Sequence, residues 1–206
     1  MNSRWNGLAT GDLDGDGRLD IIATSWGRNV DYRASDSQPL LLYTGYFGGS
    51  GRPDALLAQN DPRIGAPAPI ESFERIVSAL PGLAQRLPTF GAYADANIAQ
   101  VLGPAAQGAV QLGATTLDHI VFLNRGDRFE AHPLQAEAQL APAFYAGVAD
   151  FNGDGKEDVF LSQNFFATDI ATPRYDAGRS LLLLGDGTGG LDAVPGQRSG
   201  LLVYGE

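Results

Sequence analysis

Short apolar runs recur along the chain, each closed by a glycine- or aspartate-rich break, and they predict β-strands. Residues 5–11 and 20–25 make a first pair. Pro39 to Thr44, P-L-L-L-Y-T, reads as a buried strand, and Asp54 to Ala58 follows it. Leu117 to Asn124, L-D-H-I-V-F-L-N, turns at Arg125-Gly126-Asp127 and returns through Phe129 to His132, the pattern of a hairpin with a glycine-containing loop. Residues 143–149, 158–163 and 180–184 complete the strand-like set. The pattern changes at residues 59–116. Phe73, Ile76, Val77 and Leu80 fall at helical spacing and Pro81-Gly82 stops that run. Tyr93 to Leu102 is a second helix candidate, and Asp61-Pro62 with Ala66-Pro67-Ala68-Pro69 reads as linker.

The breaks carry the chemistry. Gly11 to Asp20 reads G-D-L-D-G-D-G-R-L-D, and Ala149 to Asp158 repeats it as A-D-F-N-G-D-G-K-E-D. Oxygen side chains occupy alternate positions: Asp12, Asp14, Asp16 and Asp20, then Asp150, Asn152, Asp154 and Asp158. At position seven, Arg18 and Lys156 would contribute a backbone carbonyl and need no acidic side chain. Gly17 and Gly155 let the backbone curl so that alternate side chains converge. Calcium takes about six to eight oxygens at roughly 2.3–2.6 Å, and carboxylates so crowded need a counter-charge. A bare aspartate-glycine turn is the simpler reading of one copy; two copies with matching flanks favour metal. An EF-hand loop would end on a glutamate at position twelve, where Ala23 and Leu161 stand. The expected sites are therefore strand–loop–strand, two in number, each holding Ca²⁺.

Gly45 to Asp54, G-Y-F-G-G-S-G-R-P-D, aligns on the same frame without a gap. Tyr46, Gly48 and Ser50 replace three ligands, so this loop is expected to keep its turn and stay empty. Leu202 to Glu206, L-V-Y-G-E, echoes Leu8 to Asp12 and predicts that the chain stops inside a further repeat of a longer protein. The intervals from Asp12 run 34 residues to Tyr46, 104 more to Asp150 and 56 to Glu206. With an insertion of roughly 45 residues removed, a period of about 50–60 with four short strands matches propeller blades. The expected fold is mostly β: a partial β-propeller of about three four-stranded antiparallel blades with a short helical insertion. The segments expected are 1–58 with the first calcium loop and the degenerate one, 59–116 as the helical insertion, and 117–206 with the hairpin and second loop.

Composition narrows the functions. The chain has 206 residues and a formal net charge of -10, which argues against a nucleic-acid binder. Cysteine is absent, so neither a disulfide nor a thiolate site is possible. No apolar run is long enough to span a membrane, and the N-terminus has no apolar signal region.

The two loops resemble the calcium loops of FG-GAP/VCBS-type repeats, which build the β-propeller of integrin α subunits and of many bacterial surface proteins. W-G-R-N at 26–29, Y-R-A-S at 32–35, R-L-P-T-F at 86–90, A-Q at 138–139 with Pro142, and R-Y-D-A at 174–177 are similar to bacterial proteins related to cartilage acidic protein, in which a helical segment interrupts the repeats. The resemblance spans nearly the whole chain. It implies a propeller stiffened by calcium, an extracytoplasmic setting and no catalytic activity. Residues 46–50 depart from it.

The leading functional expectation is a calcium-binding module of a secreted or surface protein that contacts a protein or a glycan. The alternative is the propeller portion of an extracellular polysaccharide-acting enzyme, with a carboxylate pair as acid and base. His119 and His132 fall on expected strands of one hairpin and read as surface or half-buried residues. Gly185 to Gly190 imitates a phosphate loop but lacks the following lysine. The stripe of Phe73, Ile76, Val77 and Leu80 could dock a partner or pack on the sheets; packing is favoured. Trp5 and Trp26 could stack on sugars, and Arg125-Gly126-Asp127 spells an integrin ligand, yet rim packing and an ordinary turn explain them. Open sheet edges would leave the isolated chain needing either the rest of a longer propeller or self-association.

Overall fold

The computed structural model describes residues 1–80, 82–168 and 172–203. The Pro81 stop and the Tyr204, Gly205 and Glu206 end of the last echo lie outside them. In chain order the described residues form twelve strands: β1 (Gly7–Gly11), β2 (Asp20–Thr24), β3 (Leu40–Gly45), β4 (Asp54–Asp61), β5 (Ala66–Pro69), β6 (Val110–Ala114), β7 (Ile120–Asn124), β8 (Phe129–Pro133), β9 (Ala143–Ala149), β10 (Asp158–Gln163), β11 (Leu181–Gly185) and β12 (Leu191–Val194). They make three four-stranded antiparallel sheets, ordered β1-β2-β7-β8, β5-β4-β3-β6 and β12-β11-β10-β9.

The chain is organised as two compact units, one of residues 1–2 with 32–116 and the other of residues 3–31 with the chain from Leu117 onward. The reason lies in one pairing. β2 pairs with β7, Ile21 opposite Phe122 and Ala23 opposite Ile120, so the first sheet is closed by strands encoded on either side of the first unit. Residues 39–58 thus belong with the helical segment in a unit whose sequence falls between β2 and β7. That division differs from the segments 1–58, 59–116 and 117–206 drawn from the sequence.

In the first unit, β3 pairs with β4 and β6, and β5 with β4. Residues 66–69, expected as linker, are an edge strand. Pro67 and Pro69 fit there because an edge strand can spare backbone donors. β6 escaped the sequence reading although Val110, Leu112 and Ala114 alternate with Gln111 and Gly113; the run is short, carries a glycine, and stands exposed from Val110 to Gly113. Four short helices follow β5: α1 (Phe73–Ala79), α2 (Leu83–Arg86), α3 (Phe90–Ala94) and α4 (Ile98–Leu102). Ser72, Thr89 and Asn97 cap three of them, Asn97 in a reciprocal box with Gln100. The apolar stripe faces inward: Ile76 and Leu80 are buried, with Phe73 and Val77 packed against the same core as Leu56, Leu83 and Val101. That placement leaves no exposed stripe on α1 for a partner.

In the second unit, Ile22, Val121, Val159, Leu161 and Leu183 join one core across the two sheets. β1 and β9, the first strands of these sheets, lie side by side, and Asn6 Nδ2 donates to the Ala143 carbonyl at 3.2 Å. His119 corrects the sequence reading. It precedes β7 and is fully buried, because it serves as a polar pin: Nδ1 accepts from Ser25 N at 2.8 Å while Nε2 faces the Ala141 carbonyl at 3.0 Å. Burial lowers its pKa below the usual 6.5, the Ala141 bond opposing this. Gln139, also buried, bonds the His119 backbone at both its N–H and carbonyl. His132 lies on β8 and is exposed.

Candidate metal centre

Each of the three aligned loops is built on its last aspartate. Asp20 accepts from Leu13 N at 2.9 Å and from Asn124 N on β7 at 2.8 Å. Asp158 accepts from Phe151 N and from Gly185 N on β11, both at 2.9 Å. Both carboxylates are fully buried. In the degenerate loop Asp54 accepts from Phe47 N at 2.8 Å and Gly48 N at 2.7 Å. The aspartate that survives there is the one that holds the turn, which is a folding role requiring no metal.

The first aspartate closes the curl. Asp12 accepts from Asp16 N and Gly17 N at 3.0 and 2.9 Å. Asp150 accepts from Gly153 N, Asp154 N and Gly155 N at 2.7, 3.1 and 2.8 Å. These donors, that of Gly155 first, hold the Asp150 carboxyl below the usual carboxylate range. The curl needs positive φ twice in each loop, +72° and +84° at Gly15 and Gly17, +79° and +83° at Gly153 and Gly155.

The two loops then part. In the first, oxygens of Asp12, Asp14 and Asp20 lie within 4.8 Å of one another, and among the described residues no other trio of acidic, histidine or cysteine side chains gathers so closely. The Asp14 side chain is 8% exposed; its Oδ2 pairs with Arg125, and its Oδ1 is buried without a partner. Asp16 is turned aside to pair with the Arg18 guanidinium, whose Nε donates to the Asn124 carbonyl at 2.8 Å. In the second loop, Asn152 and Asp154 bond each other, Asn152 Nδ2 to Asp154 Oδ2 at 3.1 Å and Asp154 N to Asn152 Oδ1 at 2.8 Å. Asp154 also accepts from Lys156 N at 2.9 Å. An all-oxygen set with a buried, unpartnered carboxylate oxygen and two further carboxylates beside it fits a hard divalent cation. The first loop could hold such an ion through Asp12, Asp14 and Asp20.

Arg125 was not legible as part of this site. It sits 111 residues from Asp14 in sequence, and only the β2–β7 pairing brings it there. Its Nε also donates to Glu130 Oε2 at 2.9 Å, and Arg128 donates to Glu130 Oε1 at 2.8 Å. Arg125 and then Arg128 hold the Glu130 carboxyl below its usual range. The Arg125 of the Arg-Gly-Asp tripeptide therefore turns inward, while Asp127 points out and pairs with Arg128 at 3.2 Å. Trp26 is buried, edge-on to Phe165 and Tyr175 with Arg4 over its ring at 4.0 Å, and Trp5 meets Phe122 edge-on. The Gly185 to Gly190 turn is self-satisfied: Asp186 accepts from Thr188 N, Thr188 Oγ1 and Gly190 N.

No family model, curated protein or solved structure matches the chain. Among the described residues no helix is long and apolar enough to cross a membrane.

Proposed function

We propose that the chain is a calcium-binding module of FG-GAP/VCBS repeats, part of a secreted or surface protein, in which bound calcium stiffens strand–loop–strand turns of a scaffold that contacts a protein or a glycan. The observation that carries the reading is the gathering of Asp12, Asp14 and Asp20 with a buried, partnerless Asp14 oxygen. A divalent cation there offsets the repulsion among the carboxylates and ties the loop to β2 through Asp20. The second loop, with the same backbone frame, takes the second ion through Asp150, Asn152, Asp154 and Asp158. The loop at 46–54 keeps only its holding aspartate and takes none.

The partial-propeller reading rests on how the sheets of the second unit meet. Leu13 in the first loop is buried, and its carbonyl accepts from Gly189 N in the turn of the neighbouring sheet at 3.1 Å. The matching residue of the second loop, Phe151, is 51% exposed, as are the nearby Tyr145 and Phe144 at 58% and 41%. The β9 sheet thus offers a further sheet the kind of surface that the β1 sheet offers it. In this reading, the occupant is a further repeat of a longer chain or a second copy. A clean monomer by light scattering with little hydrophobic-dye binding counts against both.

Thermal unfolding in EDTA against a calcium titration tests the metal, since binding to the folded state alone raises the midpoint. Wild type should shift, and Asp14→Ala and Asp154→Ala should each remove part of the shift. No shift in wild type sinks the reading.

A further inference from the structure

We propose that Arg125 is the positioning residue of the first calcium loop: it holds Asp14 by one oxygen, leaves the other for the metal, and ties loading of that site to the β7–β8 hairpin. The inference rests on the calcium reading of the loop and names a residue outside the loop that governs it. Arg125 lies between two carboxylates, Nη1 on Asp14 Oδ2 and Nε on Glu130 Oε2 at 2.9 Å, while Arg128 braces Glu130 from its other oxygen. The adjacent Asn124 clamps the same loop three times: its N–H donates to Asp20 Oδ1, its Nδ2 to the Leu19 carbonyl at 3.2 Å, and its carbonyl accepts from Arg18 Nε. The turn after β7 therefore grips the loop from outside, and Arg125 is the part of that grip that reaches a ligand.

The second loop shows what is missing without it. Asn124 and Gly185 fill the same role, donating N–H to Asp20 and to Asp158, so the residue matching Arg125 is Asp186. The ligand matching Asp14 is Asn152. Asp186 spends its carboxylate on its own turn, and Asn152 bonds Asp154 within the loop. Among the described residues no guanidinium holds that ligand, and it is an asparagine, so the second loop lacks the matching acidic trio by its own sequence. Groups that orient metal ligands from outside are commonly worth about 10–100-fold in metal affinity.

Charge and position give opposite signs here, which makes the test sharp. A cation beside a calcium site opposes the ion, so on charge alone removing Arg125 tightens binding. On position, removing it frees Asp14 and weakens binding. The experiment is a calcium titration of the full chain in an Asp154→Ala background, so that the first loop alone is read, by calorimetry and by amide NMR shifts of Gly17. Arg125→Gln is expected to weaken calcium by about 10-fold or more. Arg125→Lys restores the charge but not the planar fork, and is expected to stay within about threefold of Arg125→Gln. Calcium is expected to slow amide exchange at Gly126 and Asp127 in the parent and not in Arg125→Gln. Unchanged or tighter calcium in Arg125→Gln, with the parent binding normally, overturns the proposal alone. A parent that binds no calcium overturns both the proposal and the calcium reading.

Discussion

The first and second loops share a backbone and differ in what surrounds it. Both curl on two positive-φ glycines, both close on a first aspartate, and both hang from a buried last aspartate that takes two backbone N–H groups. Around the first loop, Arg125 grips Asp14 and Leu13 is sealed into the core. Around the second, Asn152 turns back on Asp154 and Phe151 stands half in solvent. The loop shape is thus a property of the ten-residue sequence, whereas what its ligand side chains meet depends both on the neighbouring strand's Arg125 and on whether Asp14 or Asn152 stands at the matching position. The degenerate loop separates the two further: it keeps the shape through Asp54 with the ligand side chains gone.

The comparison breaks hardest at its shared element. Asp20→Ala and Asp158→Ala each leave one buried and one part-buried N–H donor unpaired, and each should cost roughly 2–4 kcal/mol in denaturant unfolding in EDTA. Equal losses keep the common frame; a loss in one alone would show that the loops are not built alike. Calcium comes next. At 100 times the dissociation constant a site adds about 2.7 kcal/mol, or roughly 5–10 °C in a chain of this size. Asp14→Ala should remove the larger share of the shift and Asp154→Ala the smaller, because the first loop is already gathered.

Acid probes the sheet that carries the first loop. His119 has a pKa lowered in the folded state by burial, so the unfolded chain binds the proton more readily. Its contribution is present in full above about pH 6.5 and is lost as pH falls from there through the lowered folded value. The midpoint in EDTA should therefore drop between pH 7 and 5, and His119→Gln should flatten that slope. The smallest effect is strain alone. An added Cβ at Gly17 or Gly155 meets no atom within 4 Å, but φ is +84° and +83° there. Gly17→Ala and Gly155→Ala should each cost about 1 kcal/mol, equally in the two loops.

Much of the architecture was written locally. The apolar runs located nine of the twelve strands, and the helical spacing of Phe73, Ile76, Val77 and Leu80 placed α1 and its buried face. The three missed strands, β5, β6 and β12, are all edge strands: β5 looks like linker because of its prolines, β6 is a short exposed run broken by a glycine, and β12 is only four residues long. The loop residues stood out because alternate acids and glycines have few other uses. Arg125 did not, because its meaning depends on a strand pairing across the inserted unit. His119 was misread because a histidine beside β-branched residues looks the same whether it faces water or pins two backbone segments in the core.

That inserted unit has a consequence in time. Asp20 waits for a donor 104 residues later, Asn124, while Asp158 finds Gly185 after 27. At about 5–20 residues per second, a ribosome needs on the order of 5–20 s to supply the missing strand, and a lone β1–β2 hairpin is only marginally stable meanwhile. The loop encoded first is therefore unable to mature until the whole inserted unit has been synthesised. A chain stalled or cut within residues 32–116 would carry Asp12, Asp14 and Asp20 on a hairpin without the Asn124 and Arg125 contacts that hold Asp20 and Asp14 in the complete fold.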